Sequence, residues 1–214
     1  MRRLSFVVAG LLGGMPALGT NLLVNGSFEA ESVPANWFLA GTTPAGWLSY
    51  GSQAPDILTV GYSGGTAAEG VNFLDLIGGG AGSIPAGISQ AVTLTAGMTY
   101  SVSFHYNGDY NSPRALKYSL GSLLSGTLDV SGLNNFAQLN PVTTAWSLFS
   151  ALVTPGTTGT YVLSLYTDTP TASFGSPYVD NVSVEAMEVP ESSGLAMLLG
   201  AGGTVLALNR RLRG

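Results

Sequence analysis

Hydrophobic positions in the middle of this chain recur every second residue, in short runs set off by glycine and proline. The clearest run puts Tyr100, Val102, Phe104 and Tyr106 on one side and Thr99, Ser101, Ser103 and His105 on the other, the pattern of a strand with one apolar face. Comparable segments predict strands at 57–62, 71–77, 88–94, 99–107, 115–121, 126–131, 146–153, 160–166 and 178–185. The turn Thr95-Ala96-Gly97-Met98 between two of them predicts a hairpin. No stretch of the body sustains a 3.6-residue period, and no internal repeat is visible. A body of about 170 residues buries enough surface for one core. The pattern therefore predicts one all-β domain at 20–188, a β-sandwich of the jelly-roll kind.

The two ends break the pattern. Arg2 and Arg3 precede an apolar run from Leu4 to Met15, followed by Pro16 and the small residues Ala17 and Gly19. This reads as a cleavable export signal at 1–19, with a retained first membrane anchor as the alternative. At 189–214 the chain reads Val189-Pro190-Glu191-Ser192, then an apolar segment at 195–208, then Arg210, Arg211 and Arg213. About 15 apolar or small residues rise only ~22 Å as a helix against a ~30 Å hydrocarbon core, a marginal span. The arginines would hold the C-terminus on the cytoplasmic side. The alternative, a C-terminal helix packed on the body, lacks the polar face such a helix needs.

Charge divides the same way. Five of the seven Lys and Arg lie in the terminal segments, leaving Arg114 and Lys117 against eleven acidic residues between 20 and 188, a net of −9. A surface this acidic is unsuited to a phosphate backbone, which argues against a nucleic-acid partner. The chain has no cysteine, which excludes a cysteine nucleophile, a thiolate metal site and a disulfide.

The order of Pro190-Glu191, apolar segment and basic cluster resembles the PEP-CTERM sorting signal of exported bacterial proteins, with Ser192 where the family commonly has a second proline. The resemblance implies recognition by an exosortase-type enzyme, transient anchoring in the inner membrane, and a final place at the cell surface or in the extracellular matrix of a Gram-negative bacterium. In the body, Asn21-Leu22-Leu23-Val24-Asn25-Gly26-Ser27-Phe28-Glu29, Gly46-Trp47 and Tyr178-Val179-Asp180-Asn181-Val182-Ser183-Val184 resemble the opening, first loop and closing strand of galactose-binding-like jelly rolls. Gly87-Ile88-Ser89-Gln90 with the Tyr100 strand is similar to the domain-of-unknown-function 642 type. These resemblances imply a non-enzymatic surface or exopolysaccharide-matrix protein whose partner is a polysaccharide or envelope glycan.

Jelly-roll modules grip sugars with aromatic rings plus amides and charged groups for the hydroxyls. Loop aromatics here are Trp37, Tyr50, Tyr62, Tyr110, Phe136 and Phe174. The loop after His105 adds Asn107, Asp109, Asn111 and Arg114. The expected sugar site is thus Trp37, Asn107, Asp109, Tyr110, Asn111 and Arg114, unless these rings and charges merely finish the core and solvate the loop. A structural matrix protein with no defined ligand is the competing reading. A glycosidase would need two of Asp56, Glu69, Asp75, Asp109, Asp129 and Asp168 to converge, and His105, the single histidine, falls on the polar side of its strand. By alternation Asp180 shares a face with Val182 and Val184, where a lone carboxylate is costly. The resemblance pairs it with Glu29 around a structural calcium ion; a hydrogen-bonded carboxylate without metal is the alternative.

Overall fold

In a computed structural model of the protein the described residues are 18–51, 53–78, 84–109, 115–138, 143–168 and 176–187. Residues 1–17 and 188–214 lie outside them, and with them the expected export signal and every sorting residue (Val189, Pro190, Glu191, Ser192, Arg210, Arg211, Arg213). The body is all-β. In chain order the strands are β1 (Leu18–Asn21), β2 (Phe38–Leu39), β3 (Leu48–Gly51), β4 (Asp56–Thr59), β5 (Asn72–Asp75) and β6 (Ala86–Leu94). They continue with β7 (Tyr100–Gly108), β8 (Ala115–Leu120), β9 (Leu124–Asp129), β10 (Ser147–Val153), β11 (Gly159–Thr167) and β12 (Pro177–Met187).

The strands form two antiparallel sheets. One has the order β10-β7-β12-β5-β4-β2, with β1 added to β12; the other has the order β3-β6-β11-β8-β9. From β6 onward the chain alternates between them: β6 in the five-stranded sheet, β7 in the larger one, β8 and β9 back, then β10, β11 and β12 in alternation. That is jelly-roll connectivity, and it lets two one-faced sheets close a single core. Val102, Phe104 and Val184 from one sheet, and Ile88, Leu94, Leu116, Leu163 and Leu165 from the other, are fully buried in it.

The expected hairpin is corrected by this pairing. The 95–98 turn forms, with the Met98 amide donating to the Thr95 carbonyl at 3.3 Å, but β6 and β7 belong to different sheets. The chain arches over the core because Val92 and Leu94 on one side and Tyr100 and Val102 on the other gain more by facing each other than by pairing edge to edge. The arch is sewn to the β10–β11 connection: Gly97 donates to the Pro155 carbonyl at 2.9 Å and the Ala96 amide to Thr158 Oγ1 at 2.9 Å.

The opening and closing motifs meet. Asn21 Nδ2 donates to the Val182 carbonyl at 2.9 Å while the Val184 amide donates to Asn21 Oδ1 at 3.0 Å. At Gly26 the backbone passes so close that a Cβ would overlap the Val182 carbonyl, so only glycine fits. Trp47 closes the same end of the core, its Nε1 donating to the Asn25 carbonyl at 3.0 Å and its ring 5.8 Å from Phe28.

A second apolar layer lies on the outer face of the larger sheet. Leu58, Phe73 and Tyr178 are roofed there by Phe136 and half-buried Tyr62 and Trp146. Phe136 lies 5.1 Å from Tyr178 and Trp146 lies 5.8 Å from Phe73. That face is therefore partly covered, while the outer face of the five-stranded sheet has no such roof among the described residues.

Candidate functional site

Antiparallel register lines up the outward residues of the five-stranded sheet in rows across its strands. One row runs Tyr50, Gly87, Tyr166, Lys117 and Thr127 on β3, β6, β11, β8 and β9. Gly87 has no side chain, and a Cβ there would collide with Leu165 and Tyr166. Across that gap the rings of Tyr50 and Tyr166 stack, 4.3 Å between centroids and 26° between planes. Burial, then the Tyr166 hydroxyl beside it, pushes the Tyr50 hydroxyl up from its ordinary value. Next in the row, Lys117 Nζ bonds Asp168 Oδ2 at 2.6 Å, and this carboxylate holds the ammonium above its ordinary pKa. With side chains 32% and 43% exposed, the pair contributes little stability; it sets a donor and an acceptor beside the rings.

The neighbouring row is Ser89, Ser164, Ser119 and Ser125, ending at exposed Leu48. A shelf of small hydroxyls thus borders a bank of two aromatic rings and an ion pair. Rings offer apolar faces with a polar tip, and the serines, lysine and aspartate offer donors and acceptors at fixed spacing. This is chemistry suited to a molecule with one apolar face and many hydroxyls.

The residues expected from sequence fall elsewhere. Trp37 is exposed, at 58%, but it adjoins β2 on the edge of the other sheet, its ring 5.9 Å from Phe38. Asn107 and Asp109 are buried, a correction to their expected place in a sugar-facing loop. Asn107 lies within the β7 ladder opposite Tyr178. Its Nδ2 donates to the Thr144 carbonyl at 3.1 Å, and its Oδ1 accepts from the Gly108 amide at 2.8 Å and Thr144 Oγ1 at 3.1 Å. Its amide is spent on holding the roof. Tyr62 and Phe136 belong to that roof too. Tyr110, Asn111, Arg114 and Phe174 lie outside the described residues. Of the loop aromatics among the described residues, Tyr50 alone joins the outer-face site, and Tyr166, Lys117 and Asp168 went unrecognised as its partners. A signal was available: Tyr166 interrupts the apolar alternation of its strand, and Lys117 is the one lysine of the chain.

Asp180 is also corrected. A bulge between Asp180 and Ser183, with Asn181 at φ 48°, shifts the register, so Asp180 pairs with His105 on the outer face and not with the valines. It is nevertheless fully buried, because segment 66–70 crosses over it. Asp180 Oδ2 accepts from the amides of Ala68 at 2.7 Å and Glu69 at 3.0 Å, and Oδ1 from Asn181 at 2.6 Å. Burial outweighs these bonds and raises its pKa to about 7. Glu29 Oε1 accepts from the amides of Val71 at 2.8 Å and Asn72 at 2.7 Å. Both carboxylates thus grip one segment, 68–72. Among the described residues no three acidic or histidine side chains converge on a metal position, so a cation at this pair would draw its remaining ligands from backbone oxygens. His105, expected to face solvent, is half-buried beside Asp180, its Nδ1 enclosed without a hydrogen-bond partner among the described residues.

No family model matches the sequence, and no curated protein matches it. Some solved structures are similar. An arabinose-bound α-L-arabinofuranosidase is similar over 81% of this chain at 15% identity and a TM-score of 0.51; the chain spans 27% of that protein's length. A family 61 carbohydrate-binding module, in complex with β-1,4-galactotriose, is similar over 78% of this chain and 98% of its own at 20% identity and a TM-score of 0.49. A family 16 carbohydrate-binding module is similar over 77% and 99% at 19% identity and a TM-score of 0.45.

Proposed function

We propose that this protein is a non-enzymatic, exported carbohydrate-binding module, and that its ligand lies across the outer face of the five-stranded sheet. The observation that carries this reading is the stacked pair Tyr50 and Tyr166 set beside Lys117–Asp168 on a floor of serines. Ring faces take up the apolar face of a pyranose, and the ion pair and hydroxyls exchange hydrogen bonds with its equatorial groups. A panel of soluble glycans titrated against the protein tests it: saturable binding of at least one is expected, whereas a purely structural matrix protein gives none.

Export and sorting belong to the same reading and rest on the terminal signals. The mature protein is expected to run from about Thr20 to near Pro190, which intact-mass measurement of surface material from the native host checks. Recovery of Arg210, Arg211 and Arg213 on that material counts against processing by an exosortase-type enzyme. Calcium is the remaining part. Glu29 and Asp180 hold adjacent amides of segment 68–72, and carbonyls of that segment would complete an oxygen-rich site of the sort calcium takes. Calcium is expected to raise the melting temperature and Asp180→Asn to abolish the rise. Equal melting in calcium and in chelator removes the ion from the proposal.

A further inference from the structure

Sheet edges are open templates for another strand, and proteins usually protect them with charge, proline, bulges or brevity. Of the four strands that end the two sheet orders, three follow that rule: β2 has two residues, β3 has four and ends in Gly51, and β9 carries Gly126 and ends in Asp129; β1, laid beside β12 off the main order, is four residues long. The fourth, β10, does not. It is seven residues long, Ser147-Leu148-Phe149-Ser150-Ala151-Leu152-Val153, with no charge, proline or glycine, and it pairs with β7 in unbroken register. Its outward side chains are Leu148, Ser150 and Leu152, and the two leucines are 60% and 63% exposed.

We propose that β10 pairs antiparallel with β10 of a second copy of this chain, about a two-fold axis through Ser150. The strand is self-complementary about that residue. Leu148 of one copy faces Leu152 of the other, twice, which makes two leucine pairs on the outer face, one on each side of the opposed serines. Phe149 faces Ala151, a large side chain against a small one. An interface of this kind is isologous and closes on itself, which gives a dimer and not a fibre.

Charge selects the occupant. The chain carries −5 overall and its body far more negative charge, so two copies repel wherever carboxylates meet. The outward neighbours of β10 are Ser101, Ser103 and His105 on β7; the outward carboxylates of the next strand, Asp180 and Glu185, are one strand further in, with Glu69 on the segment that crosses over Asp180. A basic partner would settle on the acidic surface; a neutral strand edge suits another neutral strand edge.

The absence of cysteine makes a clean test. Opposed side chains of an antiparallel pair have Cβ atoms about 4.5–5.5 Å apart, close to disulfide reach. In a thiol redox buffer the full chain carrying Ser150→Cys is expected to form disulfide-linked dimers at least tenfold faster than one carrying Ser125→Cys, on exposed β9. Adding Leu148→Lys to Ser150→Cys is expected to bring the rate down to the Ser125→Cys level, with an unchanged circular-dichroism melt showing that the fold survives. Equal rates at 150 and 125, as collision or tail-driven association would give, overturn the proposal. So does a rate at 150 that Leu148→Lys leaves untouched.

Discussion

Asp75 and Asp56 face each other across β5 and β4, two carboxylates at directly opposed positions. Asp56 Oδ1 accepts from the Gly41 amide at 2.7 Å, and Asp75 Oδ1 from Ile77 at 2.9 Å and Gly78 at 3.0 Å. The Asp75 residue retains some surface, but its carboxyl is enclosed, and this burial raises its pKa to about 6 in spite of the bonds it accepts, with Asp56 adding to the rise. A carboxyl whose folded pKa exceeds its unfolded value of about 3.9 binds more protons in the native state between those two values. The stability that Asp75 contributes therefore falls as pH rises from about 4 to 6 and is level above, while Asp180, with its pKa raised to about 7, adds a second decline that runs on to about pH 7. Asp75→Asn keeps an oxygen for the two amides and is expected to remove the Asp75 share of that slope, a difference of roughly 1–3 kcal/mol read from denaturant melts at pH 4.5 and 7. An unchanged slope would place the titrating group elsewhere.

At the scale of elements, the segment from Val130 to Trp146 is fastened to β7 by Asn107 and Asn135. Asn135 Oδ1 accepts from the Thr66 amide at 3.2 Å, its Nδ2 donates to the Thr66 carbonyl at 2.8 Å, and its own amide donates to the Gly108 carbonyl at 2.9 Å. Asn107→Ala removes the acceptor of the buried Gly108 amide and the donor to the Thr144 carbonyl, while Thr144 Oγ1 keeps its bond from the Asn134 amide. It is expected to cost about 1–3 kcal/mol of stability and to leave glycan affinity unchanged, which a melt and a titration of the same variant separate. The longer strands were readable because alternation survives wherever one face is buried, as at Tyr100–Tyr106 and Ser147–Val153. The β1–β3 strands were not, since two to four residues among glycines and prolines carry no period. Alternation also cannot say whether adjacent strands pair or arch over a core, nor foresee the bulge that turned Asp180 to the other face. The site was hidden for a related reason: Tyr50, Lys117 and Tyr166 come together only through the strand order β3-β6-β11-β8, and long-range pairing leaves no mark in local pattern.

For the molecule as a whole, the two sheets divide their labour. The larger one joins the opening of the body at Asn21 to its closing strand and carries a buried aromatic roof on part of its outer face. The smaller one carries its rows of serine, tyrosine and charge on its outer face, half-buried for the most part and with Ser164 buried among them, on a body whose charges are mostly acidic. If the proposed function holds, its rings are expected to matter for binding and little for folding, because Tyr50 and Tyr166 stand on the face away from the core. Titration calorimetry of the wild-type protein and Tyr166→Ala, each against a glycan found to bind, decides the matter most directly. The expected result is a loss of about 1–2 kcal/mol of binding, roughly tenfold in affinity, with the melting temperature little changed. Undiminished affinity in Tyr166→Ala would contradict a ligand on this face.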